Sequence, residues 1–453
     1  MSRRSRRLLS AAASVIAAVL TLAALLLAGA LRTAADSHPR ALRTVPAELP
    51  ANRPSSNGPI VVAVALGASG TVGSDALAPY EVFADSPKFS VYTVAAGGRP
   101  APVDGGPAIV PTYTFADVTA GVAAPPDVVV VPAVDQPDGS AEAPLRAWVV
   151  HQARRGAHIL GVCAGARLLA ATGLLDGRTA TSHWSRLSAL RKAHPEVDWV
   201  AGQRFVQDGR ITTTAGITSG IPGALHVMDQ MAGAHEATRV GKLVRYPNWS
   251  LDQPTTIPVQ SLSAADLPVG LNVVLPWHRP TIGIGLSDGV GEIDAASAFE
   301  VYGVSYVADT LAIASGHTVT TRHGVVLVTT PQHDAPELAR IVVPGAPGDD
   351  AVGPEVQGWG ERRGIPVDAF HGPDGDVGFD GALEYLAATD GRPTALSAAK
   401  MIDYPTAQLR LAGGGSGTRV PILLGLVLAM SLGVGGLITA LAARSTRPKE
   451  PSS

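Results

Sequence analysis

The sequence predicts an α/β fold in which helices cover both faces of a parallel sheet, and three observations support this prediction. Between residues 60 and 245, β-rich runs alternate with helical patterns, as in a doubly wound sheet. Asp127–Val131 is continuously apolar after its first residue, as expected for a strand inside a parallel sheet. Cys163 lies where an apolar run passes directly into a helical pattern, so it falls at the carboxyl end of a strand.

The surroundings of Cys163 predict a nucleophile elbow. A strand is predicted at Ala157–Val162 and a helix at Ala164–Thr172, and Gly161 and Gly165 flank the cysteine. A turn this tight needs small neighbours, because larger side chains would collide with the sheet or the helix. The helix N-terminus predicts a thiol pKa below its ordinary value and N–H groups that could hold an oxyanion. The alternative is a small buried hydrophobic residue that ends the strand.

The N-terminal segment, residues 1–31, predicts a membrane anchor or a signal segment. Leu8–Leu31 contains 24 residues without a charge, and the basic stretch Ser2–Arg7 precedes it. The alternative to an anchor is a cleaved signal peptide, with Ala28–Ala30 as the small-residue cleavage site. Residues 32–59 are polar and rich in proline, so we interpret them as a stalk.

Residues 60–248 form the first predicted domain, whose elements follow from hydrophobic periodicity and from flanking turn residues. Strands are predicted at Ile60–Ala65, Phe89–Ala95 and Asp127–Val131, with a hairpin arm at Val103–Val110 and two short strands around Gln207–Arg210; helices are predicted at Asp75–Ala84, Leu145–Arg155, up to Ala193 and at Gly220–Met231. Gly67–Gly73 lacks the Gly-Lys-Ser/Thr ending of a phosphate-binding loop, so we interpret it as a plain strand-to-helix loop.

The second half of the chain repeats the pattern of the first half. Thr281–Leu286 repeats Ile60–Ala65, Glu292–Tyr302 repeats Ser74–Phe83, Ala339–Gly345 repeats Asp127–Ala133, and Gly381–Gln408 repeats Gly223–Trp249. A duplicated domain at 281–411, joined by a linker at 249–280, accounts for this repetition. From the Val-Val-Pro strand to the Gly-Ala-Leu motif there are about 90 residues in the first half but only about 40 in the second. This difference predicts a degenerate copy without the elbow strand, its cysteine or the histidine-bearing segment.

The C-terminal region predicts a second transmembrane helix, at residues 420–443. This stretch has 24 residues without a charge, and Arg444, Arg447 and Lys449 follow it. The distribution of positive charge then places both termini in the cytoplasm and both domains outside a cell membrane. A buried core helix is the alternative interpretation of this stretch.

Composition excludes several classes of function. The net charge is −3 and no basic block lies away from the termini, so nucleic acid is not a predicted partner. A single cysteine excludes an intrachain disulfide. No metal-ligand spacing occurs among the twelve histidines, and no cofactor motif is present, so neither a metal nor a cofactor is predicted.

Three motifs together resemble the ThiJ/PfpI family, which has a class I glutamine-amidotransferase-like domain. They are Gly161–Gly165 (GVCAG), Leu174–Trp184 (LLDGRTATSHW) and Thr213–Leu225 (TTAGITSGIPGAL). The similarity is greatest to the sensor domain of AraC-type regulators and to isonitrile hydratases. It extends over about residues 60–245 and, in part, 280–410. The resemblance implies a flavodoxin-like, doubly wound parallel sheet.

The resemblance also implies a set of site residues around Cys163. Asp75 matches the acid that hydrogen-bonds the elbow cysteine in the family, although an aspartate here could instead cap a helix. His183 lies where some members place a histidine near the nucleophile, and packing beside Trp184 is its alternative role. Ala164 retains the backbone N–H after the nucleophile but lacks the side-chain function that threonine or histidine provides in relatives.

A second departure affects the predicted oxyanion hole. Val131-Pro132-Ala133 replaces the Pro-Gly that usually follows this strand in relatives. Alanine at position 133 could change the direction of the N–H group that relatives use for the oxyanion. Both departures weaken the case for catalysis.

Three functions therefore stay open. If the protein is an enzyme, Cys163 is the nucleophile of a hydrolase, hydratase or lyase that acts on a small carbonyl or nitrile-like substrate. The second possibility is a non-catalytic module that senses a small ligand above Cys163, and the third is a scaffold with an inert cysteine. No helix-turn-helix pattern is evident. The expected partners are a small-molecule ligand or substrate, the lipid bilayer, and the second copy, which is predicted to pair with the first within the chain.

Overall fold

The computed structural model describes residues 3–36, 49–50, 52–277, 279–345, 354–370, 378–413 and 419–445. The helices are α1 (Arg3–Asp36), α2 (Gly73–Ala84), α3 (Phe115–Thr119), α4 (Ala143–Arg154), α5 (Gly165–Ala171), α6 (Trp184–Ala193), α7 (Gly220–Ala232), α8 (Ala234–Leu243), α9 (Leu267–Val274), α10 (Glu292–Ser305), α11 (Pro354–Arg363), α12 (Gly378–Asp390), α13 (Arg392–Met401) and α14 (Arg419–Ser445).

The strands of the first half are β1 (Ile60–Ala65), β2 (Thr71–Val72), β3 (Phe89–Ala95), β4 (Val103–Asp104), β5 (Ile109–Val110), β6 (Tyr113–Thr114), β7 (Val128–Val131), β8 (His158–Gly161), β9 (Thr179–Ala180), β10 (Asp198–Trp199), β11 (Phe205–Asp208) and β12 (Ile211–Thr214). Those of the second half are β13 (Thr281–Gly285), β14 (Asp309–Ala314), β15 (Thr318–Thr320), β16 (Val326–Val328), β17 (Thr330–Pro331), β18 (Arg340–Pro344) and β19 (Val367–Phe370).

We call residues 60–248 the first unit and residues 281–411 the second unit. The main sheet of the first unit has the strand order β11-β12-β8-β7-β1-β3-β6. All of its neighbouring strands are parallel except β11 and β12, which are antiparallel. The predicted parallel α/β fold is therefore confirmed. The predicted arm at Val103–Val110 is not one strand, because β4 pairs in parallel with β2 while β5 pairs with β16 of the second half.

Alternate residues of β1 belong to two separate hydrophobic cores. Val62 and Val64 face the core that contains residues of α2 and α7, whereas Ala63 and Ala65 face the core that contains residues of α4 and α5. Successive side chains of a strand point to opposite faces, so a strand covered on both faces must be apolar throughout. This explains the uninterrupted apolar run at β1.

The second unit contains a smaller sheet with the order β17-β14-β13-β18-β19, and all of its neighbouring strands are parallel. The strand β19 lies beside β18 as β8 lies beside β7 in the first sheet. The prediction that this region lacks the strand equivalent to β8 is therefore wrong. Asp368 interrupts the apolar pattern of β19, and its carboxylate accepts a hydrogen bond from the Tyr385 hydroxyl at 2.7 Å, which is why the sequence did not resemble a buried strand.

What differs is the chain after this strand. In the first unit, residues 162–219 separate β8 from α7 and include the Cys163 turn and α5. In the second unit, only residues 371–377 separate β19 from α12, and they lie outside the described residues. The connection is thus 58 residues long in the first unit and 7 residues long in the second.

The two units contact each other through α2 and α10. Val82 and Phe83 of α2 share one hydrophobic core with Ala298 and Val301 of α10. Backbone pairing also joins the units, because β5 and β16 form an antiparallel ladder in which Val110 pairs with Val326. The described residues of the two halves thus share one hydrophobic core, and each half has a further core of its own on the opposite face of its sheet.

The helices α1 and α14 include two stretches long and apolar enough to cross a membrane, Ala11–Ala35 and Ile422–Ala440. They pack together closely: Ser14 and Thr439 hydroxyls are hydrogen-bonded, and a Cβ added at Gly435 would lie 2.6 Å from the Ser14 carbonyl oxygen. The C-terminal part of α1 contacts α9, where the Thr33 hydroxyl donates to the Val273 carbonyl at 2.7 Å.

Gly165 provides a test of the close packing at the start of α5. A Cβ at this position would lie 2.1 Å from the Val131 carbonyl oxygen, so we expect Gly165→Ala to lower the free energy of unfolding by roughly 1–3 kcal/mol through overpacking. Gly303 in α10 is the control, because a Cβ there meets nothing within 4 Å. Gly303→Ala should be neutral or stabilising by up to about 1 kcal/mol. Urea denaturation would measure both, and equal stabilities of the two variants would contradict the close approach of Gly165 to Val131.

Candidate functional site

Cys163 occupies the turn between β8 and α5 with a left-handed backbone, at φ 54°. A residue with a Cβ adopts this conformation rarely, so the surroundings must hold it in place. The Cys163 N–H donates to the Thr214 hydroxyl at 3.2 Å, and the Ser182 hydroxyl donates to the Cys163 carbonyl at 3.0 Å. Both backbone groups of the cysteine are thus fixed by neighbouring segments.

The thiol of Cys163 is buried, with 5% of the residue exposed. Burial raises the pKa of the Cys163 thiol well above its usual range, the negative charge of Asp75 raises it further, and a hydrogen bond from the Ala164 backbone opposes both. The prediction of a lowered pKa is therefore wrong. The short helix α5 and one backbone N–H do not compensate for the loss of water around a thiolate.

Asp75 lies in the first turn of α2 and is fully buried. Its Oδ2 accepts a hydrogen bond from the Ala133 N–H at 3.0 Å, so the residue does not cap its own helix. In the part of the chain that the structure describes, its Oδ1 has no hydrogen-bond partner. Burial raises the pKa of Asp75 well above its usual range, which makes Oδ1 a site for a proton that can be donated to a neighbour.

The hydrogen bond from the Ala133 N–H to Asp75 also affects the predicted oxyanion hole. The Ala133 N–H points to the Asp75 carboxyl in this structure and is not free to bind a substrate oxygen. The Ala164 N–H lies near the sulfur and lowers the pKa of the Cys163 thiol. Of the two N–H groups considered for an oxyanion, the one on Ala133 is therefore occupied by Asp75.

Glu300, from α10 of the second unit, reaches the same site and was not predicted from the sequence. The Ser74 backbone and side chain lie close enough to lower the pKa of the Glu300 carboxyl, and Ser74 immediately precedes Asp75. Burial raises the pKa of Glu300 to about 7. Its negative charge contributes to the raised pKa of both Asp75 and Cys163.

The position of Glu300 has a counterpart in the first unit. Glu81 and Glu300 occupy matching places in DALAPYEVF and DAASAFEVY. Glu81 accepts a hydrogen bond from the Ile293 N–H at 2.6 Å, and Ile293 is the match of Ser74 in the same alignment. Each helix thus provides a glutamate to the first turn of the other, as in an interface with twofold symmetry. The repeated glutamate was the signal that could have identified Glu300.

A further acid lies beside this group. Burial, followed by the charge of Asp135, raises the pKa of Asp104 to about 8, and Glu300 contributes to the same shift. No group of three or more His, Cys, Asp or Glu side chains suited to a metal ion occurs among the described residues. Asp75, Asp104 and Glu300 are thus three acids near the thiol whose charges raise the pKa values of their neighbours.

His183 is buried and engaged through both ring nitrogens. Nδ1 lies 2.7 Å from the Ser185 hydroxyl, and Nε2 lies 2.8 Å from the Met401 carbonyl oxygen. A carbonyl only accepts, so Nε2 carries the proton and Nδ1 accepts from Ser185. Burial lowers the pKa of His183 to about 4, which keeps the ring neutral at physiological pH. In this arrangement His183 connects the two units and has no nitrogen free to act as a base.

The segment Met401–Asp403 at the end of α13 bonds the first unit close enough to Cys163 for the Asp403 charge to raise the thiol pKa, and we call this segment the cover. The Thr218 N–H donates to the Ile402 carbonyl at 3.2 Å, and the Thr218 hydroxyl donates to the carbonyls of Ile402 at 3.0 Å and Asp403 at 3.2 Å. With the bond from His183 to Met401, all three residues of the cover bind the first unit through their carbonyls. Sequence reasoning could not find this contact, because it depends on how the two units are packed.

These features define a class of protein: a parallel α/β domain with a buried cysteine in a strand-to-helix turn and an acid nearby. The family model described as DJ-1/PfpI matches residues 61–230. The chain is 31% identical over 195 residues to isonitrile hydratase from Pseudomonas putida, which covers 41% of this chain and 79% of the relative. The chain therefore belongs to the DJ-1/PfpI family, as the sequence motifs predicted.

Regulators and solved structures extend this comparison. The HTH-type transcriptional regulator CdhR from Pseudomonas aeruginosa is 35% identical over 106 residues, which is 22% of this chain and 31% of the regulator. A THiJ/PfpI family protein from Pseudomonas syringae has 27% identity and a TM-score of 0.38, covering 48% of this chain and 88% of that one. An AraC family transcriptional regulator from Pseudomonas putida has 18% identity and a TM-score of 0.35, covering 41% and 100%.

The role of Glu300 can be tested through the thiol. Glu300→Gln keeps hydrogen-bonding groups but removes a negative charge, so the pKa of Cys163 should fall and the midpoint of pH-dependent alkylation should move to lower pH. Glu81→Gln is the matched control, because this residue bonds Ile293 at the other end of the interface. An unshifted midpoint in Glu300→Gln, or an equal shift in both variants, would refute the assignment.

Proposed function

We propose that this protein is a ligand-sensing module of the cell envelope, held by two membrane helices, in which the second unit regulates access to Cys163. The observation that supports this most directly is the cover, whose three carbonyls are hydrogen-bonded to His183 and Thr218. A sealed site with a protonated thiol suits binding and signalling better than continuous turnover. The similarity to transcriptional regulators over part of their length is consistent with this proposal.

An enzymatic function is the second candidate, and one observation favours it. The unpartnered Oδ1 of Asp75, a raised pKa and a cysteine in a strained turn form a set that could transfer a proton to or from a substrate. In that case Cys163 is the nucleophile of a cysteine-dependent hydrolase, hydratase or lyase, and the similarity to isonitrile hydratase supports the hydratase class. The cover would have to move before a substrate could reach the sulfur.

We also propose that the second unit is a degenerate copy of the first, which pairs with it within the chain. Three observations support this: the matching strand orders around β1 and β13, the aligned α2 and α10 sequences, and the reciprocal positions of Glu81 and Glu300 near the first turns of α10 and α2. The copy that lost the cysteine turn then acts as a partner and not as a second active site.

The sensing proposal predicts that opening the cover exposes the thiol. Thr218→Val removes the hydroxyl whose single hydrogen is shared between the carbonyls of Ile402 and Asp403, and loss of this shared hydrogen bond should accelerate labelling of Cys163 by roughly tenfold. Thr329→Val is the control, since its buried hydroxyl bonds the Gly316 carbonyl within the second unit.

The measurement is the labelling rate of Cys163 by a thiol reagent in the full chain. Slow labelling in wild type and Thr329→Val, with fast labelling in Thr218→Val, would support the proposal. Wild-type labelling as fast as in the urea-unfolded chain would show that the cover does not close the site in solution, and the sensing mechanism would have to be abandoned.

The membrane arrangement predicts a protease pattern. Basic residues precede the first apolar helix and follow the second, so both termini should be cytoplasmic and the region 60–410 should be outside. Protease added to intact spheroplasts should then digest this region and spare the basic tail. Protection of 60–410 together with cleavage of the tail would contradict the topology.

A further inference from the structure

The linker between the two units contains an apolar helix with large exposed side chains. The stretch Ala264–Val274, which includes α9, is apolar but spans only roughly 16 Å as a helix, whereas the core of a bilayer is about 30 Å thick. Leu267 of α9 is 59% exposed, and Leu262, shortly before it, is 73% exposed. A short apolar helix usually belongs to a protein core or to a membrane surface, and these exposures argue against a core.

The exposed part of α9 lies on one side of the helix. Leu267, Leu271 and Val274 follow the i, i+4, i+7 spacing of a single helical face, on which Leu271 and Val274 are half-buried. Asn272 lies on the opposite face and is buried, and its side-chain amide donates to the Ser305 carbonyl of the second unit at 2.9 Å. The described chain thus covers one face of α9 and leaves the Leu267 side open.

The sequence of α9 and of the residues directly after it is uncharged. From Leu267 to Trp277 it reads LPVGLNVVLPW. The acid before this stretch, Asp266, is turned towards the second unit, where the Lys400 ammonium donates to its carboxylate at 2.6 Å. Trp277 ends the stretch, and tryptophan is enriched where a membrane meets water. An exposed, uncharged and apolar surface of this kind suits lipid better than a charged partner.

The C-terminal end of α9 contacts α1 inside the apolar stretch of that helix. A Cβ added at Gly29 would lie 2.0 Å from the Val274 carbonyl oxygen, so the backbones meet where Gly29 has no side chain. Gly29 belongs to Ala11–Ala35, which is long enough to cross a membrane, and Arg32 is the first charge after it. The contact therefore lies where the apolar run ends. An α9 of 8 residues rises roughly 12 Å, so Leu267 lies within about 10 Å of this level.

The carbonyl groups at this end of α9 already have partners. The last carbonyls of a helix lack intrahelical donors, and leaving them unbonded is costly where water is scarce. The Thr33 hydroxyl of α1 donates to the Val273 carbonyl at 2.7 Å. The Arg279 guanidinium donates to the Asn272 carbonyl at 2.7 Å and to the Thr33 hydroxyl at 2.8 Å. This end of the helix is therefore suited to a position at the edge of a bilayer.

We infer that α9 lies in the surface of the lipid bilayer at the C-terminal end of α1, with the Leu267 side in contact with lipid. Lipid then replaces water around an exposed apolar face, as burial in a protein core would. The inference rests on the proposed anchoring by α1 and α14. It adds a third membrane contact, which fixes how the two units are oriented on the bilayer.

The contact can be measured with a bimane fluorophore on single cysteines of the full chain in phosphatidylcholine vesicles. Cys163→Ser removes the native cysteine, and Leu267→Cys, Leu432→Cys or Val122→Cys is then introduced for labelling. Leu432 lies within the apolar stretch of α14 and serves as the reference for a membrane span. Val122, in the loop after α3, is the matched control because it is 69% exposed. Lipids that carry a nitroxide near the headgroup or near the chain end report depth.

We expect the nitroxide near the headgroup to reduce fluorescence at Leu267 by at least roughly twofold and to leave the Val122 label unchanged. The deep nitroxide should quench the Leu432 label, which tests the anchoring separately. Quenching at Leu432 without quenching at Leu267 would overturn the inference and keep the anchoring, whereas quenching at Leu267 alone would keep the contact and refute the anchoring. Equal quenching at Leu267 and Val122 would also overturn the inference. So would a Leu267 label that responds to protein concentration instead of nitroxide lipid, which would indicate a second copy of the chain.

Discussion

The packing of α2 against α10 is the contact on which the rest of the structure depends. It places the first turn of each helix beside a glutamate of the other, and the α2 turn carries the acid that lies next to Cys163. Carboxyl groups this deeply buried are stable only when they are protonated or hydrogen-bonded. The packing of the two units therefore also determines which groups of the cysteine site are protonated.

The same interface explains why the first unit cannot be understood alone. The His183 Nε2–H donates to the Met401 carbonyl, and the Thr218 hydroxyl donates to the carbonyls of Ile402 and Asp403. The charge of Glu300 raises the pKa of Asp75. His183, which the resemblance placed near the nucleophile, is here engaged in a contact with the second unit. Whatever the site does, its resting state is set by both halves of the chain.

The parallel sheet and the turn at Cys163 could be predicted because their signals are local: apolar runs, small residues around the turn, and strand-to-helix spacing. Glu300 and the cover could not be predicted in this way, because each depends on packing between distant segments. The thiol pKa was predicted in the wrong direction for a related reason. A helix N-terminus is visible in the sequence, whereas the burial that outweighs it belongs to the complete fold. The strand β19 was missed because Asp368 breaks its apolar pattern.

The strand pair β5–β16 and the α2–α10 contact join surfaces that belong to a single polypeptide. Their association is intramolecular, so it does not depend on how many copies of the protein a cell makes. The intramolecular arrangement also changes how substitutions affect the interface. In a homodimer every substitution appears on both sides of the interface, whereas here each side varies independently. Under the proposed duplication, one side was therefore free to keep its cysteine while the other side changed.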